Sequence, residues 1–524
     1  MQRGLPTAEH RLGKAQACPA NMVWYGWMDA LPHLDHGSEV PLYRQLYEQF
    51  AERIRSGELG QGERLPATRE LAGSLGLNRT TVSAAYEMLE AEGMIAGRVG
   101  KGSFVTAALV RGELALAGRG PAPHSWGALL ERGEAAPLPA ALGRETISFA
   151  TSWPSRELFP LDEFRASCAA VLGRADLADI LQLGSPAGYE PLRRHLIEEA
   201  RRQGLAGAAD DLLITNGCQQ GLDLVGRVLL RPGDAVAVED PVYPGLKSLL
   251  TGMGARLAAV PVGADGMEIP RLVRVLERER PKLIVVTPDF QNPTGATLPM
   301  AARRGLLDAA RAAGVPVVEN DPYGELRYEG QPLAALKQLD ANGGTVLLRS
   351  FSKASFPGLR VGWVVGPKPL LDRLRHAKEA ADLHSDQLSQ AVLLEFAESG
   401  RLEAHRKRLL EAGGERLRVT LEACREFLPA GTGWTRPEGG MNLWVSLPEP
   451  LDAGELLPRA QKLGVAYLPA RYFAVSRQEP GGLRLSFAGL EPQQIRDGLA
   501  IIGQLAAAEL ASARPSGEPA TAMV

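Results

Sequence analysis

The string Ser350-Phe-Ser352-Lys353, followed by Gly358-Leu-Arg360, gathers an amine, two hydroxyls and a guanidinium in one short segment. A lysine in such company can form a Schiff base with an aldehyde. Two serines and an arginine can hold a phosphate dianion. Thr215-Asn-Gly217-Cys218-Gln219-Gln220-Gly221 follows a strand-like run and opens an apolar-periodic helix. Backbone N–H groups at such a start form an anion site, although an ordinary strand-to-helix turn has the same pattern. Asn292-Pro293-Thr294-Gly295 is good turn chemistry after a strand, and Asn292 can also hydrogen-bond a ring hydroxyl. Val317-Val-Glu319-Asn-Asp321-Pro-Tyr323 puts a carboxylate and a phenol just beyond a strand end, where open α/β sheets bind ligands.

Together these parts describe a site for pyridoxal 5′-phosphate (PLP). Lys353 is the expected Schiff-base lysine. Asp321 is expected to pair with the pyridine nitrogen and keep it protonated, which makes the ring an electron sink. Asn292 and Tyr323 are expected at the 3′-oxygen. Gly217, Cys218 and Gln219, with Ser350, Ser352 and Arg360, are expected at the phosphate. Tyr243, in Glu239-Asp-Pro-Val-Tyr243-Pro-Gly, either stacks on the ring or is a core or turn aromatic. Arg484, in Gly482-Leu-Arg-Leu-Ser-Phe, either clamps a substrate α-carboxylate or is a surface strand arginine.

The elements that must carry these residues alternate. From about Ile147 to Ala507, helical stretches separate short apolar strands at Asp211–Thr215, Ala235–Glu239, Leu283–Thr287, Pro316–Glu319, Val346–Leu348 and Val361–Val365. That spacing predicts α/β units around a largely parallel sheet.

A smaller module precedes it. Pro41–Ser56 places Leu42, Leu46, Phe50 and Ile54 at helical spacing. Thr68–Leu75 is a second helix, Gly76-Leu77-Asn78 a turn with Asn78 as N-cap, and Arg79–Ala91 a third helix. Helix, tight turn, helix is the arithmetic of a helix-turn-helix, and Gly93–Val105 reads as a hairpin with a basic, Gly-rich tip. Arg79, Thr80, Thr81 and Ser83 suit base edges and phosphates; Arg69 and Lys101 suit phosphates. Residues 39–106 carry eight Arg/Lys against nine Asp/Glu, so DNA binding requires the basic groups on one face. A small helical domain for protein contacts fits the bare pattern too.

The motifs are more specific than the pattern. Pro41-Leu-Tyr-x-Gln-Leu, Gly62-Glu-Arg-Leu-Pro66-x-Thr-Arg69-Glu-Leu-Ala, Leu77-Asn-Arg79-x-Thr-Val82 and Gly100-x-Gly102-x-Phe104-Val105 resemble the GntR-type winged helix-turn-helix. The order and spacing of the later motifs resemble the fold-type I, class I aminotransferases, whose members imply the PLP roles given above. The two together resemble the MocR family of bacterial regulators, over residues 39 to about 508. The seven-residue interval from Lys353 to Arg360 is the form associated with that regulator branch. The resemblance implies a multidomain chain, with a small winged helix-turn-helix followed by a large α/β aminotransferase-like domain. It implies a head-to-tail homodimer, a DNA operator, and a signal that is PLP itself or an amine or amino acid forming an external aldimine with it. Leu183 departs from the family, which often has there a Tyr reaching the partner subunit's phosphate; Tyr189 is the nearby phenol.

The expected layout is an N-terminal extension (1–38), the DNA-binding domain (39–106), an Ala/Gly/Pro-rich linker (107–145), the PLP domain (146–508) and a tail (509–524). The chain has 524 residues and a net charge of −3, which excludes a chain-wide basic character. No run approaches a membrane span, and the N-terminus lacks an apolar signal core, so the cytoplasm is expected. Cys18, Cys168, Cys218 and Cys424 stand far apart and suggest neither a zinc site nor a disulfide framework. Two other readings remain at this level: a working aminotransferase with an accessory DNA-binding domain, and a repressor whose large domain has lost its cofactor.

Overall fold

The computed structural model describes residues 32, 34–35, 37–38, 40–56, 58–60, 62–98, 102–106 and 146–513. The aromatic cluster at Trp24–Trp27, Lys101, the linker 107–145 and the end of the tail lie outside the described residues. The chain divides into two compact units, Met1–Gly133 and Glu134–Val524.

In the first unit α1 spans Leu42–Arg55, α2 Thr68–Leu75 and α3 Arg79–Ala91. The last two match the sequence expectation residue for residue, for local reasons. Gly76 closes α2 in the left-handed region at φ 64°, which glycine adopts without steric cost. Asn78 starts α3 by accepting a hydrogen bond from the Thr80 amide, 3.2 Å. Leu46, Phe50 and Ile54 of α1 pack against Val82, Ala85, Tyr86 and Leu89 of α3, all buried. The Tyr86 ring meets Phe50 edge-on, and its hydroxyl donates to the Pro66 carbonyl, 2.9 Å. Two strands follow, β1 (Ile95–Arg98) and β2 (Gly102–Val105), paired antiparallel as the expected wing.

The second unit is built on an eight-stranded sheet. Its members are β3 (Asp210–Thr215), β4 (Ala235–Asp240), β5 (Arg256–Gly263), β6 (Gly266–Met267), β7 (Leu283–Val286), β8 (Val317–Asn320), β9 (Thr345–Ser350) and β10 (Gly362–Pro367). Their order is β3-β10-β9-β8-β7-β4-β5-β6. The sheet is mixed: β10 runs antiparallel to both β9 and β3, and β6 is an antiparallel edge on β5. The β9–β10 connection carries Ser352, Lys353 and Arg360, so the antiparallel return places that segment at the end of the sheet where β3 hands over to helix α4 (Cys218–Leu229). Both faces are covered. Val318, Leu348 and Val364 pack with Leu222 of α4, and Leu347 and Val365 pack with Leu212 and Leu205 on the opposite face.

A four-stranded antiparallel sheet follows, of β11 (Gly433–Trp434), β12 (Asn442–Ser446), β13 (Leu468–Pro469) and β14 (Gly482–Ser486), ordered β11-β12-β14-β13. Its core includes Leu443, Val445, Leu483 and Leu485, packed with Leu417, Ile495 and Leu499 of the helices Arg401–Phe427 and Pro492–Ala513. The last helix therefore runs past the expected domain end at 508. No helix among the described residues is long and apolar enough to cross a membrane.

One buried acid makes stability depend on pH. Glu239, at the end of β4, accepts from the Thr287 amide at 3.2 Å through Oε2, while Oε1 has no hydrogen-bond partner among the described residues. Burial pushes its carboxyl up to about 8. A raised folded-state value means that its favourable contribution is complete below the unfolded value near 4.5 and is lost as pH rises through about 8. Glu239→Gln keeps the acceptor for Thr287 and removes the charge. It is expected to abolish that decline and to raise stability at pH 9 by a few kcal/mol, on the order of 1.4 kcal/mol for each pH unit spanned. Denaturant melts at pH 5 and pH 9 check it; equal slopes for the two proteins contradict it.

Candidate functional site

The β3–α4 junction and the β9–β10 connection form an oxyanion cradle. Gly217 precedes α4 at φ 82°, ψ 174°, a conformation essentially reserved for glycine. Arg360 Nη2 donates to the Asn216 carbonyl, 3.0 Å, and Nη1 to Ser352 Oγ, 3.2 Å. Ser350 Oγ donates to Ser352 Oγ at 2.8 Å and accepts from the Ser352 amide at 3.0 Å. Close approach depends on glycines. A Cβ at Gly217 would lie 2.5 Å from Arg360 Nη2, and one at Gly362 would lie 2.7 Å from Gly217 Cα. The cradle thus offers two hydroxyls, a guanidinium and the free amides of a helix start, the donor set of a phosphate dianion.

Cys218 is the first residue of α4, and burial pushes its thiol up to about 12, so it stays neutral. The Gln219 side chain donates to the Gly245 carbonyl, 3.2 Å. It thereby ties α4 to the helix Pro244–Gly252, which starts just after Tyr243. Tyr243 is 38% exposed, and its ring lies where a Cβ on Gly245 would be 2.5 Å away. It is a partly open aromatic at the site, not a core one.

Lys353 sits beside the cradle, half-buried, its Nζ donating to the Ser152 carbonyl at 2.6 Å and lying 5.8 Å from the centre of the Tyr323 ring. The Asn292 amide donates to the Tyr323 hydroxyl, 3.3 Å, and Arg484 Nη1 donates to Asn292 Oδ1, 3.1 Å. Arg484 also donates to the Ala150 carbonyl and lies over the Phe473 ring at 5.1 Å. It is 4% exposed, its Nε lacks a partner among the described residues, and burial pulls its guanidinium down to about 10. Arg484 is therefore a buried site residue, and the surface-strand alternative falls. Lys353, Tyr323, Asn292 and Arg484 form one continuous cluster.

Asp321 makes its side-chain hydrogen bonds outside this cluster. Its Oδ2 pairs with Arg349 at 2.9 Å and its Oδ1 accepts from the Gly324 amide at 2.7 Å. Both partners line a depression with Gln203, Leu205 and Ala335, on the face of the sheet away from α4. Tyr189 is buried in the core with Leu212 and Ile214, and Leu183 is 73% exposed, so Tyr189 does not stand in for the missing phenol.

Several supporting residues carried no motif. Asn216 and Gln220 both donate to Asp382 Oδ2, at 3.0 and 2.6 Å, and the buried Lys378 donates to Asp382 Oδ1 at 2.7 Å. This network braces the cradle from below. The signal for it lies in amides and charges some 160 residues apart, which no local reading connects.

In the first unit Arg69, Arg79 and Thr80 are exposed and Thr81 is half-buried. Arg79, Thr80 and Thr81 occupy the first turn of α3, and Arg69 the first turn of α2. No group of acidic, His or Cys side chains fit to hold a metal occurs among the described residues.

Residues 165–502 match the family described as aminotransferase class I and II, and residues 42–105 match the gntR family of bacterial regulatory proteins. Aromatic-amino-acid aminotransferase 1 of Thermococcus litoralis is 35% identical over 361 residues, covering 68% of this chain and 86% of the relative. The probable rhizopine catabolism regulatory protein MocR of Rhizobium meliloti is 31% identical over 473 residues, covering 89% of this chain and 94% of the relative. Among solved structures, Pyrococcus horikoshii kynurenine aminotransferase in complex with PMP aligns with a TM-score of 0.68 at 35% identity, covering 70% of this chain and 92% of that one.

Proposed function

Since the chain belongs to the class I and II aminotransferase family and carries a gntR-family domain ahead of that fold, we propose that it is a PLP-dependent transcriptional regulator whose hold on DNA follows the state of its lysine site. The observation that carries this reading is the joint presence of an exposed helix-turn-helix and a lysine site in one chain, 89% of which aligns with a probable regulatory protein. When bound, PLP supplies an aldehyde that condenses with amines and a ring that withdraws electrons.

The chain's own residues divide the work. Lys353 would hold the coenzyme through its amine, the group for which an effector amine would be the chemical equivalent. Ser350, Ser352 and Arg360, with the amides of Cys218 and Gln219 that the turn at Gly217 leaves open, take the phosphate. Asn292 and Tyr323 hold the 3′-oxygen, Tyr243 covers a ring face, and Arg484 receives an effector carboxylate. Arg69, Arg79, Thr80, Thr81 and Lys101 meet the DNA. The working parts are residues 39–106 and 146–508, joined by 107–145. A head-to-tail homodimer in the cytoplasm presents two winged domains to spaced half-sites. The signal is PLP occupancy, or an amine or amino acid reacting there. Either acts only through a difference in affinity between two arrangements of the winged domains.

The test is one titration with two readouts. The PLP-loaded protein is titrated with a panel of amines and amino acids while its visible absorbance and its binding to the DNA upstream of its own gene are followed. The expected result is that one or more compounds change the absorbance and the DNA affinity at the same concentration. Rapid steady transamination with no DNA binding would establish the enzyme reading instead.

A further inference from the structure

The geometry points to Asn320 as the residue that meets the pyridine nitrogen of the bound coenzyme, and a neutral amide there leaves that nitrogen unprotonated. This rests on the PLP reading above and deepens it.

Successive side chains of a strand point to opposite faces. In β8, Val318 packs with Leu348, Val364 and Leu222, on the α4 face. Val317 packs with Leu336 and Ala237 on the other. Glu319 shares the face of Val317, where its carboxylate accepts from the Leu336 and Lys337 amides at 2.9 and 2.8 Å. Asn320 therefore belongs to the α4 face and Asp321 to the opposite one. Contacts agree. Asn320 is in register with Leu348 of β9, and Leu348 closes on Gly221 of α4, where a Cβ would be 2.9 Å away. Asp321 is committed to Arg349 and Gly324.

The chemistry of the ligand supplies the second half. In PLP the phosphate arm, the aldehyde carbon and the 3′-oxygen occupy three neighbouring ring positions, and the nitrogen lies across the ring from the aldehyde carbon. The cradle, Lys353 and the Asn292–Tyr323 pair account for the first three. Held on those three anchors, the ring would turn its nitrogen toward the buried end of the sheet on the α4 side. There Asn320 is 7% exposed, and its Oδ1 is fully buried with no hydrogen-bond partner among the described residues. An orphaned buried amide oxygen is costly unless a ligand or a turn of the amide completes it.

A carboxylate at this place would favour the protonated ring by charge. An amide offers only dipoles; turned end for end from the orientation that orphans its oxygen, it presents an N–H that can donate to the lone pair of an unprotonated nitrogen. Burial further disfavours an uncompensated pyridinium. The ring then keeps its phosphate hold and its reactivity toward amines, but withdraws electrons weakly. Such a site retains an amine signal where an enzyme would process it, and this separates the sensor from the transaminase.

The full-length protein is loaded with PLP labelled with 15N in the ring, and the 15N resonance is recorded at pH 7. The expected resonance is that of an unprotonated pyridine. Asn320→Asp is expected to move it upfield to the protonated position, and Asp321→Asn to leave it in place. A protonated ring nitrogen in the natural protein overturns the inference, as does a shift caused by Asp321→Asn but not by Asn320→Asp. The natural protein decides the question even if a variant fails to fold. Failure of the chain to take up PLP at all would overturn the preceding reading as well, whereas bound PLP with a protonated nitrogen overturns this inference alone.

Discussion

Lys353→Ala is expected to remove all covalent coenzyme. After incubation with PLP and borohydride reduction, the natural chain should carry one phosphopyridoxyl group on Lys353 and the variant none, as read by mass spectrometry of the digested protein. The effect is all or nothing because reduction fixes only an imine, and alanine has no amine. The fold should survive. Lys353 is half-buried and its amine makes one hydrogen bond, to the Ser152 carbonyl, a loss of roughly 1 kcal/mol. Amines should then no longer change the DNA affinity. Stoichiometric labelling of the variant would place the reactive lysine elsewhere.

Arg79→Ala should be the most damaging single change for DNA. Arg79 opens α3 and is exposed, while the Asn78 cap that starts the helix does not depend on it. The change thus removes a guanidinium without unwinding its helix. The loss is about 1–3 kcal/mol for each DNA contact made, or roughly 5- to 150-fold per half-site, and it compounds across two half-sites in a dimer. If the contact is to a phosphate, the salt dependence of binding should also flatten by about one unit per contact. Binding isotherms at two salt concentrations measure both, with PLP loading unchanged as the control. Unaltered affinity would mean that a different helix enters the groove.

Much of the architecture was legible because its signals are local. Gly76 and Asn78 set the ends of α2 and α3 by backbone conformation and capping, and the apolar stripe of α3 needed only a period near 3.6. The lysine site was legible for a different reason. Ser350, Ser352, Lys353 and Arg360 lie in one loop, and Asn292 and Tyr323 follow strand ends. The choice between two neighbours is not legible in the same way. Glu319-Asn320-Asp321 reads as a carboxylate at a strand end, with an amide one residue before it. Yet a strand reverses its faces at every residue, so the acid points one way and the amide the other. Only the packing of Val317 and Val318 reveals which is which. Arg349 was equally silent, because its role depends on Asp321 already facing its side of the sheet. The antiparallel entry of β10 was hidden too, since strand direction is set by pairing and not by composition.

The bond between Arg484 and Asn292 has a consequence of its own. On the proposed reading, an effector carboxylate would meet a guanidinium already joined to the Asn292 carbonyl, whereas a plain amine would leave that bond alone. Because Asn292 also donates to the Tyr323 hydroxyl, the two kinds of visitor leave different electrical environments around the phenol. On that reading, the tint of the bound vitamin would report whether its guest brought a negative charge.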